Sequence, residues 1–159
     1  MKDTLMVYYS LNGNTAFVAE ELMKHIDMDV ERLKVRNEPK ASGFGKFLAG
    51  GAAALRGTDP GLWPVNADPR EYYEIVIAFP VWAGTYPPAV GAFLKQKPFR
   101  GKNVYLIGCS ASGNAEGAFS KLTDALSGNT VVGTLSLRNP AKHREEAAEE
   151  IRVFASRRH

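Results

Sequence analysis

Five consecutive residues constrain this chain more than any others: I-V-I-A-F, Ile75–Phe79. The run is apolar throughout, with no alternation between apolar and polar positions. A strand of this kind is buried on both faces, as in parallel sheets covered by helices. Thr4–Tyr9, Asn103–Cys109 and Thr130–Leu137 also read as strands. A weaker one, Asp29–Val35, alternates and is expected at a sheet edge. Helical spacing falls between the strands. Val18, Leu22 and Ile26 share one face, and Phe119, Leu122 and Leu126 another, which Gly128 stops. Ala147, Ile151, Phe154 and Ala155 form the stripe of a last helix, with Asn139 and Pro140 as its expected cap and first-turn proline. Alternation of strand and helix predicts the α/β class, an open parallel sheet with helices on both faces and right-handed crossovers.

The 159 residues suit a single domain, 1–159, with a sizeable core. Residues 36–73 make a long connection between the second and third strands. Phe44, Phe47, Leu48 and Leu55 suggest one short helix there, weakened by Gly50 and Gly51. The formal charge of +3 is mild and no basic block interleaves with aromatics, which disfavours nucleic acid as a partner. A single cysteine, Cys109, rules out an internal disulfide and suits a reducing compartment. No run approaches the ~18 apolar residues of a membrane span, and the first apolar stretch is too short for a signal peptide. A soluble, cytoplasmic protein without a membrane partner is therefore expected. His25, His143 and His159 share no ligand spacing with one another or with Cys109, so no metal site is expected. Ser110 and Ser112 lie in no G-x-S-x-G, which disfavours a hydrolase.

Ligands of open parallel sheets sit beyond the carboxyl ends of the strands, near the point where strand order reverses. Three strand ends here carry unusual loops. The first is S-L-N-G-N-T, Ser10 to Thr15. Ser10, Asn12 and Asn14 offer side-chain donors, Gly13 lets the backbone approach closely, and Thr15 starts a helix whose first N–H groups lack internal partners. Together they suit an anion such as phosphate, although the same residues would also make a self-capped polar turn. Neither G-x-x-x-x-G-K-[ST] nor G-x-G-x-x-G is present, which disfavours a nucleotide triphosphatase or a dinucleotide fold. The second loop, F-P-V-W-A-G-T-Y-P-P, brings Pro80, Val81, Trp82, Ala83, Gly84 and Thr85 just past the apolar strand. Trp82 either offers a flat face to a ring system or caps the core. Gly84 at the third position of a turn would allow the Ala83–Gly84 peptide to flip at low cost. The third loop, G-C-S-A-S-G-N-A-E-G, carries Cys109, Ser110, Ala111, Gly113 and Asn114. Its backbone suits hydrogen bonding to the edge of a planar heterocycle. Cys109 reads as a small buried residue and not as a nucleophile.

The three loops, in this order and at these distances, resemble those of the short-chain flavodoxins and their flavodoxin-like relatives. Ser10–Thr15 is similar to that family's phosphate loop, and the second and third loops to the two that flank a flavin. The resemblance implies a three-layer sandwich with five parallel strands in the order 2-1-3-4-5 and one bound FMN. It further implies that Ser10, Asn12, Gly13, Asn14 and Thr15 hold the phosphate and that Trp82 stacks on the isoalloxazine. Ala83 and Gly84 would supply a flipping peptide near flavin N5, and Cys109 to Asn114 would line the far side of the ring. The chain departs from the family in three ways. It is net basic where flavodoxins are usually strongly acidic, and its third loop has no aromatic, so either the ring is covered on one face only or Trp63 or Tyr86 takes that place. Its 36–73 segment is also long, with a G-F-x-K-F…G-G stretch from Gly43 to Gly51 seen in some flavodoxin-like proteins. The implied function is an electron carrier shuttling single electrons between redox partner proteins. The alternative is an FMN-dependent NAD(P)H:quinone-type reductase on the same fold. The sequence leaves the oligomeric state open between monomer and dimer.

Overall fold

The computed structural model describes residues 2–38 and 59–158. The strands are β1 (Lys2–Tyr8), β2 (Asp29–Arg32), β3 (Tyr72–Pro80), β4 (Asn103–Ser110) and β5 (Thr130–Arg138). The helices are α1 (Asn14–Met23), α2 (Pro88–Gln96), α3 (Glu116–Ala125) and α4 (Arg144–Ser156). The strands form one sheet in the order β2-β1-β3-β4-β5, every pair parallel. This is the expected order, with β2 at an edge as its alternating sequence predicts.

Two apolar layers cover the sheet. Val7, Ile75, Ile77 and Leu106 meet Phe93 of α2 and Phe119 and Leu122 of α3 on one face. Met6, Val76, Ala78 and Ile107 meet Val18 and Leu22 of α1 and Ile151 of α4 on the other. Ile75–Phe79 is fully buried, because alternate residues of β3 belong to opposite layers. That explains the unbroken apolar run.

Two local expectations need correction. Asn139 and Pro140 do not start α4. Asn139 has φ +37°, and its carbonyl accepts from Lys142 and His143 in a turn that precedes the helix. Pro88–Gln96 forms a helix that apolar spacing did not reveal. It is only nine residues long, has Pro88 in its first turn, and buries Ala89, Val90 and Phe93. The helix expected around Phe44–Leu55 and the Gly43–Gly51 stretch lie outside the described residues. The connection is anchored on either side by an antiparallel bridge between Val35 and Leu62. It returns to the sheet through a 3-10 turn at Pro69–Glu71.

Candidate functional site

All three loops emerge at the carboxyl edge, from β1, β3 and β4, the adjacent central strands. Strand order reverses between β1 and β3, so the first two loops flank the crevice where α/β sheets hold ligands. Short contacts join the loops into one rim. The Val81 N–H donates to the Cys109 carbonyl at 2.8 Å, and Asn139 N–H to the Ser110 carbonyl at 3.0 Å. Asn14 Oδ1 accepts from the Ala141 N–H at 3.0 Å, tying the first loop to the segment after β5.

In the first loop Gly13 has φ +91°, a conformation that side chains disfavour. Among the described residues a β-carbon there would meet nothing within 4 Å, so the chain presents an open face. Ser10 Oγ accepts from the Ala16 N–H at 3.1 Å, and Asn12 Oδ1 from the Asn14 N–H at 3.3 Å. These two side chains are thus engaged in capping the loop itself. Thr15 differs. It is 1% exposed, and its Oγ1 is buried without a hydrogen bond among the described residues. A buried hydroxyl in that state costs free energy until something accepts from it or donates to it. With the α1 N-terminus and the open face at Gly13, it fits an oxyanion.

The second loop turns tightly. Trp82 and Thr85 exchange backbone hydrogen bonds at 3.0 Å each way. Ala83 (φ +50°) and Gly84 (φ +73°) both lie in the left-handed region, the signature of a type I′ turn. This corrects the expectation of an inexpensive flip. Rotating the central peptide of a type I′ turn leads to type II′, whose first central position favours glycine. That position holds Ala83, so the flip carries a strain of order 1–3 kcal/mol. Trp82 is corrected as well: it is 2% exposed and packs edge-to-face on Tyr9, ring centroids 5.6 Å apart at 87°. It offers no free face to a ring, because Tyr9 continues β1 into the same layer and provides it with a seat. Trp63, in contrast, is 49% exposed, with the Arg36 guanidinium 3.9 Å from its ring centroid.

In the third loop Ser110 Oγ accepts from the Gly113 N–H at 2.9 Å, and Asn114 Oδ1 from the Glu116 N–H at 3.0 Å, at the start of α3. Ser136 Oγ donates to the Gly113 carbonyl at 2.7 Å. Ala111 is exposed. Cys109 is 3% exposed, and burial pushes its thiol up to about 12. The Thr15 hydroxyl opposes that rise, but its contact with the sulfur falls short of a hydrogen bond. At neutral pH the group is a thiol and not a nucleophile.

The sequence-predicted residues therefore do assemble at one edge. Sequence reasoning missed the basic residues that touch the loops. Arg32 Nη2 donates to the Ser10 carbonyl at 3.2 Å, and Lys121 Nζ to the Gly84 carbonyl at 3.3 Å. Nothing in the sequence marked either one, since Arg32 falls inside the strand expected over Asp29–Val35.

No protein-family profile matches the chain, and no curated protein matches it. Solved structures do. A flavoprotein from Lactobacillus acidophilus, crystallised in complex with FMN, is 26% identical over 91% of this chain and 98% of that one, with a TM-score of 0.72. Two flavodoxins follow at 18% identity. Oxidised flavodoxin 2 from Bacillus cereus has a TM-score of 0.59, with 97% of this chain and 95% of that one covered. Two-electron reduced flavodoxin from Megasphaera elsdenii has a TM-score of 0.60, with 96% and 98% covered. The fold is flavodoxin-like, as the strand order and the three loops imply.

Proposed function

We propose that the chain binds FMN in the carboxyl-edge crevice and passes electrons singly between protein partners, with no substrate of its own. The observation that carries the reading is the buried, unbonded Thr15 hydroxyl at the start of α1, beside the open face of Gly13. Ser10, Asn12, Gly13, Asn14 and Thr15 would hold the phosphate. The ligand would draw Ser10 and Asn12 from contacts they now make within the loop. Pro80–Thr85 and Cys109–Asn114 would border the ring system from two sides. The FMN found in the Lactobacillus acidophilus flavoprotein supports the cofactor, and likeness to two flavodoxins supports the carrier role.

FMN supplies the reversible one- and two-electron chemistry that side chains lack. The chain's own part is to bind, orient and shield. Trp82, seated on Tyr9, stiffens the second loop from beneath instead of lying on the ring. Lys121 holds the Gly84 carbonyl and ties that loop to α3. The strained Ala83 resists turning of the central peptide and fixes which groups of the loop face the crevice.

Anaerobic reductive titration of the FMN-loaded protein tests the carrier reading. Two resolved one-electron steps are expected, with no bleaching by NADH or NADPH alone. A single two-electron step, together with rapid bleaching by a nicotinamide nucleotide, would replace the carrier with the reductase.

A further inference from the structure

We propose that the carboxyl edge of the sheet is a cationic docking face for a carboxylate-rich protein partner. The proposal rests on reading the crevice as an electron-transfer site. Each of the three loops is touched by a basic side chain. Arg32 donates to Ser10 of the first, and Lys121 to Gly84 of the second. Arg138 packs its stem against the third, where a β-carbon on Gly113 would come within 3.3 Å of Arg138 Cβ. All three cations are exposed, and none makes an ion pair among the described residues. Residues 10–15, 80–88 and 109–115 contain no Asp or Glu. Acidic groups at this edge include Glu38, which accepts from the Tyr9 hydroxyl, and Glu116, in the first turn of α3. Neither forms an ion pair with the three cations among the described residues.

The spacing of these charges selects the kind of partner. Arg32 ends β2 and Arg138 ends β5, the two edge strands. Four strand intervals separate those edges, about 19 Å at the usual 4.7–4.9 Å per interval. A small anion or a single phosphate needs cations that converge within a few ångströms. Charges spread across the whole edge suit a protein footprint, which covers about 800 Å² on each partner. Such a face raises the association rate of an oppositely charged protein and repels a basic one.

The test measures complex formation by calorimetry, using the FMN-loaded protein against an acidic [2Fe–2S] ferredoxin and, separately, the basic cytochrome c. A double variant, Lys121→Glu with Arg138→Glu, is compared with Lys95→Glu plus Arg100→Glu, which makes the same charge change elsewhere. Thermal melting and FMN fluorescence verify that each variant is folded and loaded. We expect salt-sensitive binding to ferredoxin, weakened about tenfold or more by the first pair and by less than about threefold by the second. Equal effects of the two pairs would reduce the face to net charge alone and overturn the proposal. So would tighter binding to cytochrome c, or binding of neither protein. Loss of NADPH binding in the first pair, with ferredoxin unaffected, would reassign the cations to a nucleotide. Complex formation is read without electron transfer, so a chain that takes up no FMN would refute the functional reading separately.

Discussion

Thr15 separates a binding role from a structural one. Its hydroxyl is buried without a hydrogen bond among the described residues and only touches the Cys109 sulfur, so removing it takes little from the folded network. Thr15→Val should leave unliganded stability unchanged, or raise it by up to about 1 kcal/mol. FMN affinity should fall at least about tenfold. Urea unfolding and fluorescence titration of the same variant measure the two effects, and a stability loss with intact affinity would assign the hydroxyl to the core. Trp82 gives the opposite pattern. It is 2% exposed on Tyr9, so Trp82→Ala should destabilise the unliganded chain by about 3–5 kcal/mol. Trp82→Phe keeps a ring on Tyr9 and should recover most of that loss in the same urea assay. If Trp82→Ala costs less than about 1 kcal/mol, the ring is not seated as described.

Among the elements, α3 and β4 set how closely the third loop is held. Gly108 lets them approach: a β-carbon there would lie 2.6 Å from Ala115 Cβ and 3.1 Å from the Phe119 ring. Gly108→Ala therefore overpacks this seam and should cost about 1–3 kcal/mol, read from the midpoint of urea unfolding. A neutral result would mean that α3 moves away at little cost. Element identity was legible where burial set it. Ile75–Phe79 announced a central strand because each of its faces meets an apolar layer. Helix α2 was hidden because it is short and opens on prolines that also serve loops. Asn139 and Pro140 misled because a cap and a turn use the same residues, and only the positive φ of Asn139 distinguishes them.

Across the whole molecule, a sheet whose order reverses between β1 and β3 gathers three loops from distant parts of the sequence at one edge. The polar character of those loops was readable in advance, because residues such as Ser10, Gly13 and Asn114 have few other uses at a strand end. Their partners were not. Ser10 and Asn12 bond within their own loop, Trp82 turns inward onto Tyr9, and Ala83 adopts a positive φ. Each depends on a neighbour fixed only after the chain has folded. The mild net charge of +3 likewise gave no sign that three exposed cations, none in an ion pair among the described residues, border the crevice.

Equilibrium titration of the flavin-free protein with FMN tests whether this crevice holds the cofactor. Saturable, one-to-one quenching of flavin fluorescence is expected at micromolar or lower concentrations, weakened by Thr15→Val. A folded wild-type chain that leaves the fluorescence unchanged, or a Thr15→Val variant that binds as tightly as wild type, would contradict it.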